Sequence, residues 1–525
     1  MKADSAAPIR RQPRPAFAVG AGIFLSRLAG FGRDIAIAGF FGTGLAADAY
    51  AAALRIPNII RNLLGEGTLS ASFIPVYSGL LERGASADAR RLAGIILGLL
   101  SVLALGLSGL GILLAPWLTR ILVPGWPQAS VALTTTLVRI LFPMAGFMIL
   151  AAWCLGILNS HRRFFLPFAA PAVWNLSQIA GLLIAWRAGW EPLIVALAWA
   201  TMVGAVLQFL IQLPSAVRRV GRLRLSLQTA WGPARRVVVN FGPVVLGAGV
   251  AQISSLLDVF LASFLIPGAV ATLYYSQRLY FLPLSLFGIA VAASALPELS
   301  RDAVQDAHDA LRRRLRRGFR NVAFTVLPSA VVFILFGDWI VATLLQRGDF
   351  RASDTELVHA TLAAYAIGLL AASSVKLFAS GFHAMLDTRT PVRYAVAALI
   401  IGAGVGALLM WPFYVPGLAV GAAVGSWSYL LMLWTGLGKR LGGLFDWADM
   451  IYLLKTGLAC AGAAAAALGL EIMLGPEMGI AAPFFTRLWI TAGTLSLFGV
   501  VYLAVGWVVG ALPPGGLKFW QSSTP

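Results

Sequence analysis

Apolar runs of about twenty residues or more follow one another from residue 16 to residue 510, each bounded by short charged or proline-containing punctuation. A helix of that length crosses roughly 30 Å of hydrocarbon, so the pattern commits nearly the whole chain to a bilayer. The composition agrees, with 59% hydrophobic and 12% charged residues and a mean hydropathy of +0.83. A soluble protein of 525 residues could not cover that much apolar surface. The runs number fourteen, at about 16–41, 46–80, 91–118, 131–159, 164–186, 192–213, 237–265, 270–299, 320–340, 356–384, 391–411, 415–437, 449–474 and 484–510. The expected fold is all-α, a polytopic membrane protein of about fourteen transmembrane helices.

The net charge of +19 does not point to nucleic acid, because the basic residues sit in short clusters between apolar runs. Loops on the side of the N-terminus hold Arg90, Arg91, Arg162, Arg163, Arg218, Arg219, Arg222, Arg224, Arg235, Arg236, the run Arg312, Arg313, Arg314, Arg316 and Arg317, and Lys439 with Arg440. The opposite loops hold little beyond Arg120, Arg187, Arg347, Arg351 and Arg487. By the positive-inside rule both termini are expected in the cytoplasm, with an uncleaved first span after a basic tail, residues 1–15. Cys154 and Cys460 lie in separate runs, and the four histidines are dispersed near loops, so no metal site, disulfide or cofactor is expected.

Local patterns recur at a nearly constant offset. "SASFIPVYS" against "AASALPELS" sets Pro75 on Pro297, "APWLTRIL" against "GDWIVATLL" sets Trp117 on Trp339, and "GILNSHRRFFLP" against "SGFHAMLDTRTP" sets Pro167 on Pro391. Six runs separate the copies, an even number, so both enter the membrane in the same sense and relate by an axis along its normal. The expected organisation is an N-lobe at 16–217, a basic linker at 218–236, a C-lobe at 237–438, two additional spans within 439–510 and a cytoplasmic tail at 511–525.

A charged side chain at mid-bilayer costs about 2.5–3.5 kcal/mol on insertion scales, so each one needs a partner or a wet cavity. Spans 1 and 2 nevertheless hold Arg27, Arg33, Asp34, Asp48, Arg55, Arg61 and Glu66, and the second half holds Asp258, Arg278 and Lys376. Spans 1, 2 and 8 together present five arginines against four acids when Glu298 is counted, so pairing comes close to neutralising the set. Arg55 shares a helix face with Asp48 and is a candidate for such pairing. Arginine stays ionised when desolvated and its planar fork fits phosphate oxygens, so an unneutralised cluster points to an anionic ligand, a phosphate or diphosphate before a carboxylate.

The stretches "SRLAGFGRD", "DAYAAALRIPNIIRNLLGEGTLSASFIP", "AQISSLLDVFLASFL", "YYSQRLYFLPLSLFGIA", "ALPELS" and "GFHAMLDTRTPV", in this order, closely resemble the MurJ (MviN) family of bacterial lipid II flippases, over about residues 16–440. The resemblance implies a member of the multidrug/oligosaccharidyl-lipid/polysaccharide exporter superfamily in the inner membrane, moving the undecaprenyl-diphosphate-linked peptidoglycan precursor outward without enzymatic chemistry. It places substrate-binding roles on Arg27, Arg33, Arg61 and Arg278, and supporting or gating roles on Asp34, Asp48, Asn58 and Glu66 beside Arg55. It also implies that spans 13 and 14 shape a groove for the lipid tail, that membrane lipids are partners, and that cell-wall synthesis proteins are candidates for others. Two positions depart from the pattern: Gln277 and Phe281 stand where some members carry acids.

Two other functions fit parts of the sequence. A drug exporter, or a flippase of another polyprenyl-linked glycan, would share the architecture, although cavities for organic cations should lean acidic. A membrane glycosyl- or acyltransferase acting on polyprenyl lipids would need a positioned acid, base or metal in a polar loop. The most polar outer segment, "GDFRASD", reads as a solvated turn.

Overall fold

The computed structural model describes residues 15–304, 308–444, 446–474 and 482–512, and among them there is no strand. Helix α1 (Pro15–Phe41) carries the first apolar run. The second run divides into α2 (Leu45–Leu64), α3 (Glu66–Ser72) and α4 (Ile74–Glu82), with breaks at Gly65 and Phe73. Unbroken helices follow: α5 (Ser86–Leu122), α6 (Gln128–Ser160), α7 (Phe165–Arg187), α8 (Leu193–Val220) and α9 (Gly232–Ala262). The eighth run is interrupted again, as α10 (Ala269–Pro283), a π-helical stretch Leu284–Ile289 and α11 (Ala290–Val304). Then come α12 (His308–Leu335), α13 (Gly337–Leu345), α14 (Ala352–Ile367), α15 (Leu369–Ala384), α16 (Arg389–Leu441), α17 (Trp447–Leu474) and α18 (Phe484–Val508).

Every apolar run of the sequence therefore falls on a helix or an interrupted series of helices. Eight helices are long and apolar enough to cross a membrane unaided, nine when α14 and α15, bent by 41°, count as one span. The first, second and eighth runs, which hold most of the intramembrane charge, are not among them. The interruptions of the eighth and tenth runs have local causes. Pro283 brings no amide hydrogen to the helix at the start of the π-helical stretch, and Gly288 seats its backbone against α15, where a Cβ would stand 2.8 Å from the Ser373 Cα. At the α14/α15 bend the Ile367 carbonyl is taken up by the Trp427 indole, which donates to it at 2.9 Å.

The eleventh and twelfth runs share α16, whose path turns at Tyr414 (φ 51°, ψ −132°). Beyond that residue the helix runs back along itself on a seam of Gly402, Gly406, Gly421 and Gly425. The backbones touch there, and a Cβ on Gly421 would have no room beside Gly406.

Contacts divide the chain into two compact units, Met1–Ile37 with Ala49–Leu256, and Ala38–Asp48 with Leu257–Pro525. The first is built around α6, whose buried Trp153 donates its indole N–H to the Ala93 carbonyl of α5 at 3.1 Å. In the second, α17 and α18 join α12 through a core of Phe324, Phe336, Ala463, Phe498 and Tyr502. Ion pairs fasten the helix ends of this unit. Arg316 and Arg320 of α12 reach the buried Asp449 at 2.7 and 2.6 Å, and Arg316 also pairs with Asp446. Arg314 holds Asp302 at 2.7 Å as well as Glu298. Asp387, in the turn before α16, accepts from the Thr390 hydroxyl and amide and from Arg440, and these bonds hold its carboxyl well below the usual carboxylate range.

A group whose folded value is depressed stabilises the fold above its unfolded pKa and stops doing so as pH falls through the folded one. Acidification below about pH 4, the ordinary aspartate range, is therefore expected to weaken the Asp387 tie, and Asp387→Asn should flatten the acid limb of a thermal-stability profile measured in detergent. Gly421→Leu is expected to cost about 1–3 kcal/mol through overpacking, read as a lowered thermal midpoint, while Gly404→Ala, with nothing within 4 Å of the new Cβ, should leave the midpoint unchanged.

Candidate functional site

Arg27 and Arg33 are six residues apart on α1, about 120° around its axis at 3.6 residues per turn, so one helix cannot turn both toward the same neighbour. Arg27 is exposed and Arg33 is buried, 4% accessible. Arg33 is fully engaged: Nε and Nη2 donate to Asp34 Oδ1 at 3.1 and 2.6 Å, and Nη1 donates to Asn175 Oδ1 of α7 at 2.9 Å. The Asn175 amide in turn donates to the Ser26 carbonyl at 3.2 Å, which fixes α1 against α7. A buried ion pair of this kind is held by its geometry, since removal of either partner strands the other charge.

Arg61 of α2 joins this group through Trp174. Its Cζ lies 5.8 Å from the centroid of the indole, and that of Arg33 lies 5.2 Å from the same ring. Cations near an indole are attracted by its quadrupole. The ring is itself fixed, because its N–H donates to the Thr201 carbonyl at 3.1 Å, while Tyr50 of α2 bonds Gln178 at 3.0 Å and the Thr201 hydroxyl at 2.8 Å. One buried polar layer thus orients α2, α7 and α8 beneath the guanidiniums. Asn58, a turn before Arg61, keeps a buried Oδ1 with no hydrogen-bond donor. Arg55 is half-buried, and the side chain of Glu66 lies outside the described residues.

Asp48 does something other than neutralise Arg55. Its two oxygens accept the Gly268 amide at 2.6 Å and the Ala271 amide at 2.7 Å, capping the start of α10. The segment Ala38–Asp48 is tied into the second unit at further points: Thr43 donates to Asp354 at 2.5 Å, the Asp349 amide to the Gly39 carbonyl at 2.9 Å, and the Tyr275 hydroxyl to the Gly42 carbonyl at 3.1 Å.

Arg278 is exposed on α10, with its Cζ 4.8 Å from the centroid of the Tyr274 ring. Its neighbour Gln277 donates to Asp258 of α9 at 3.0 Å and to the Tyr365 hydroxyl at 2.9 Å, so a carboxylate from another span stands beside Gln277. On the same unit an apolar hollow of about 470 Å³ opens between the π-helical stretch, α12 and α18, lined by Leu286, Phe287, Pro328, Val332, Phe498 and Leu503.

The structure thus brings Arg33, Asp34 and Arg61 together in the first unit, leaves Arg27 exposed on α1, and places Asp48 and Arg278 in the second. Trp174, Asn175 and Gln178 were missed in the sequence. The signal available was "WNLSQ", three polar-capable residues set in an apolar run. Among the described residues no group of acids, histidines and cysteines is arranged to hold a metal ion.

A family model described as lipid II flippase MurJ matches residues 37–486. The probable lipid II flippase MurJ of Vibrio cholerae serotype O1 is 33% identical over 463 residues, covering 85% of this chain and 86% of that protein. The lipid II flippase MurJ of Burkholderia cenocepacia is 32% identical over 506 residues, 93% of this chain and 95% of its own. Among solved structures, a lipid II flippase MurJ in an inward closed conformation superposes with a TM-score of 0.77 at 22% identity, over 94% of this chain and 98% of that one. An inward-facing multidrug resistance transporter of the MATE family, in the MOP superfamily, gives 0.66 at 16% identity over 82% and 98%. Both share the fold.

Asp34→Ala is expected to destabilise the protein by about 3–5 kcal/mol by stranding the buried Arg33 charge, whereas the double replacement Arg33→Met with Asp34→Leu should recover most of that loss. Thermal unfolding in detergent checks both, and a double variant as unstable as the single one would contradict the pairing.

Proposed function

Because the chain belongs to the MurJ family, we propose that it flips lipid II, the lipid-linked peptidoglycan precursor, from the cytoplasmic to the periplasmic leaflet by alternating access, with arginines of spans 1, 2 and 8 holding the diphosphate. It is a multi-pass membrane transporter and not an enzyme. The observation that carries the arginine assignment is the convergence of Arg33 and Arg61 on the Trp174 indole, with their Cζ atoms 5.2 and 5.8 Å from its centroid. Two guanidiniums brought to one ring suit an anion bearing several oxygens, and their planar forks favour phosphate.

In this reading the diphosphate engages the cluster, the sugar-peptide headgroup crosses in an aqueous cavity, and the prenyl tail lies in the apolar hollow beside α12 and α18. Both termini are cytoplasmic. Rocking of the lobes carries the headgroup across without exposing it to hydrocarbon. A membrane potential positive outside drives the unloaded cationic site inward, at about 2.3 kcal/mol per elementary charge per 100 mV.

In cells depleted of the native protein and complemented with variants, Arg27→Ala, Arg61→Ala and Arg278→Ala are each expected to reduce the appearance of lipid II at the outer face at least tenfold, the scale of about 1.5–3 kcal/mol for a lost charge-assisted hydrogen bond. The corresponding lysine variants should recover part of it. Undiminished translocation by Arg27→Ala and Arg61→Ala would remove the cluster from the mechanism. Accumulation of a different polyprenyl-diphosphate glycan on depletion would change the cargo.

A further inference from the structure

Between Glu191 and Asp258 the sequence holds six arginines, Arg218, Arg219, Arg222, Arg224, Arg235 and Arg236, and no acid at all. All six are exposed and, among the described residues, none of them forms an ion pair. The other basic run of the chain behaves differently: Arg314, Arg316 and Arg320 pair with carboxylates of α11, of α17 and of the turn before it, and Arg312 pairs with Asp309 one turn away on its own helix. A topology signal asks only that arginines be present on one side. It does not ask that one cluster be kept free of acids while another is set among carboxylates.

The segment between α8 and α9 is also built into place. It runs without helical structure from Gly221 to Ala230, laid along α5 where Gly94 has no room for a Cβ beneath the Arg224 carbonyl and a Cβ on Gly98 would stand 2.8 Å from the Ser226 carbonyl. Arg91 of α5 pins its far end, donating to the Gln228 side chain at 2.7 Å with its Cζ 4.8 Å from the Trp231 ring centroid. Leu223 and Trp231 turn inward onto the core of the first unit. Leu225 and Leu227 turn outward, 65% and 58% exposed, beside Arg222 and Arg224. A rigid strip of unpaired guanidiniums with two projecting leucines, at the ends of membrane-crossing helices, has the chemistry of a bilayer interface: arginine forks for phosphate oxygens and short apolar side chains for the acyl boundary.

We propose that residues 218–236 form a binding strip for the anionic phospholipids of the membrane, separate from the cargo site. The strip holds headgroup phosphates between Arg222, Arg224, Arg235 and Arg236, and it fixes the depth at which the first unit sits in the bilayer. It requires only that this unit spans a membrane, so it stands or falls independently of which lipid the protein flips.

The test uses the purified full-length protein in detergent, without cargo, with phosphatidylglycerol and phosphatidylcholine as competing probes and retained lipid read by native mass spectrometry. The wild type is expected to retain phosphatidylglycerol selectively. Replacing Arg222, Arg224, Arg235 and Arg236 with Gln should weaken that retention at least tenfold and leave phosphatidylcholine unchanged. Replacing four exposed arginines elsewhere, Arg301, Arg313, Arg317 and Arg389, should have little effect. The pair Leu225→Ser and Leu227→Ser, which changes only exposed side chains, should also weaken retention and decides the matter if the fourfold linker variant does not fold. Equal loss in the linker and control variants, or retention by the linker variants at the wild-type level, would overturn the proposal. So would tighter retention of undecaprenyl diphosphate, offered alone in a second run and lost in the fourfold linker variant, which would make the strip a cargo site.

Discussion

A guanidinium does not lose its proton in hydrocarbon, and most of what is distinctive in this chain follows from how each such charge is answered. Arg33 is buried and takes its answer from the adjacent residue, Asp34, with Asn175 completing its donors. That arrangement draws α1 onto α7 and sets the indole of Trp174 beside both Arg33 and Arg61. Asp48 answers backbone instead of side chain, stabilising the positive end of α10. At the helix ends of the second unit the same residue type serves architecture, with Arg316 and Arg320 clamped on Asp449.

The helical content and the placement of the spans were legible because apolar length is a one-dimensional property. Even the turn inside α16 could be read, since Pro412 and Pro416 flank Tyr414. The breaks at Phe73, Phe336 and Gly368 were not, because they depend on what packs against the chain. The π-helical stretch needs Ser373 across from Gly288, and the bend before α15 needs the Trp427 indole to receive a released carbonyl. The site divides the same way. Arginines in an apolar run announce themselves, while Trp174 reads as an ordinary core residue until its two cationic neighbours are seen. The sharing of a helix face by Asp48 and Arg55 was real on paper, but α10 offered the carboxylate two aligned amides.

The residue pairs that the sequence patterns align differ in how far their surroundings match. Pro167 and Pro391 both occupy the third position of their helices, α7 and α16, and both are buried. Trp117 and Trp339 have parted. The first is 60% exposed on α5, whereas the second is buried on α13 with its N–H given to Glu471 of α17. The two C-terminal helices pack on the second unit, where α17 supplies the acceptor for the Trp339 indole.

The Ala38–Asp48 segment belongs by its contacts to one unit while the residues on both sides of it belong to the other. The polypeptide consequently crosses from unit to unit at three peptide linkages, after Ile37, after Asp48 and after Leu256. Within the second unit, Asp48 and the Gly268 amide that it accepts are 220 residues apart in the chain, so this early segment finds its place only once α10 has been made.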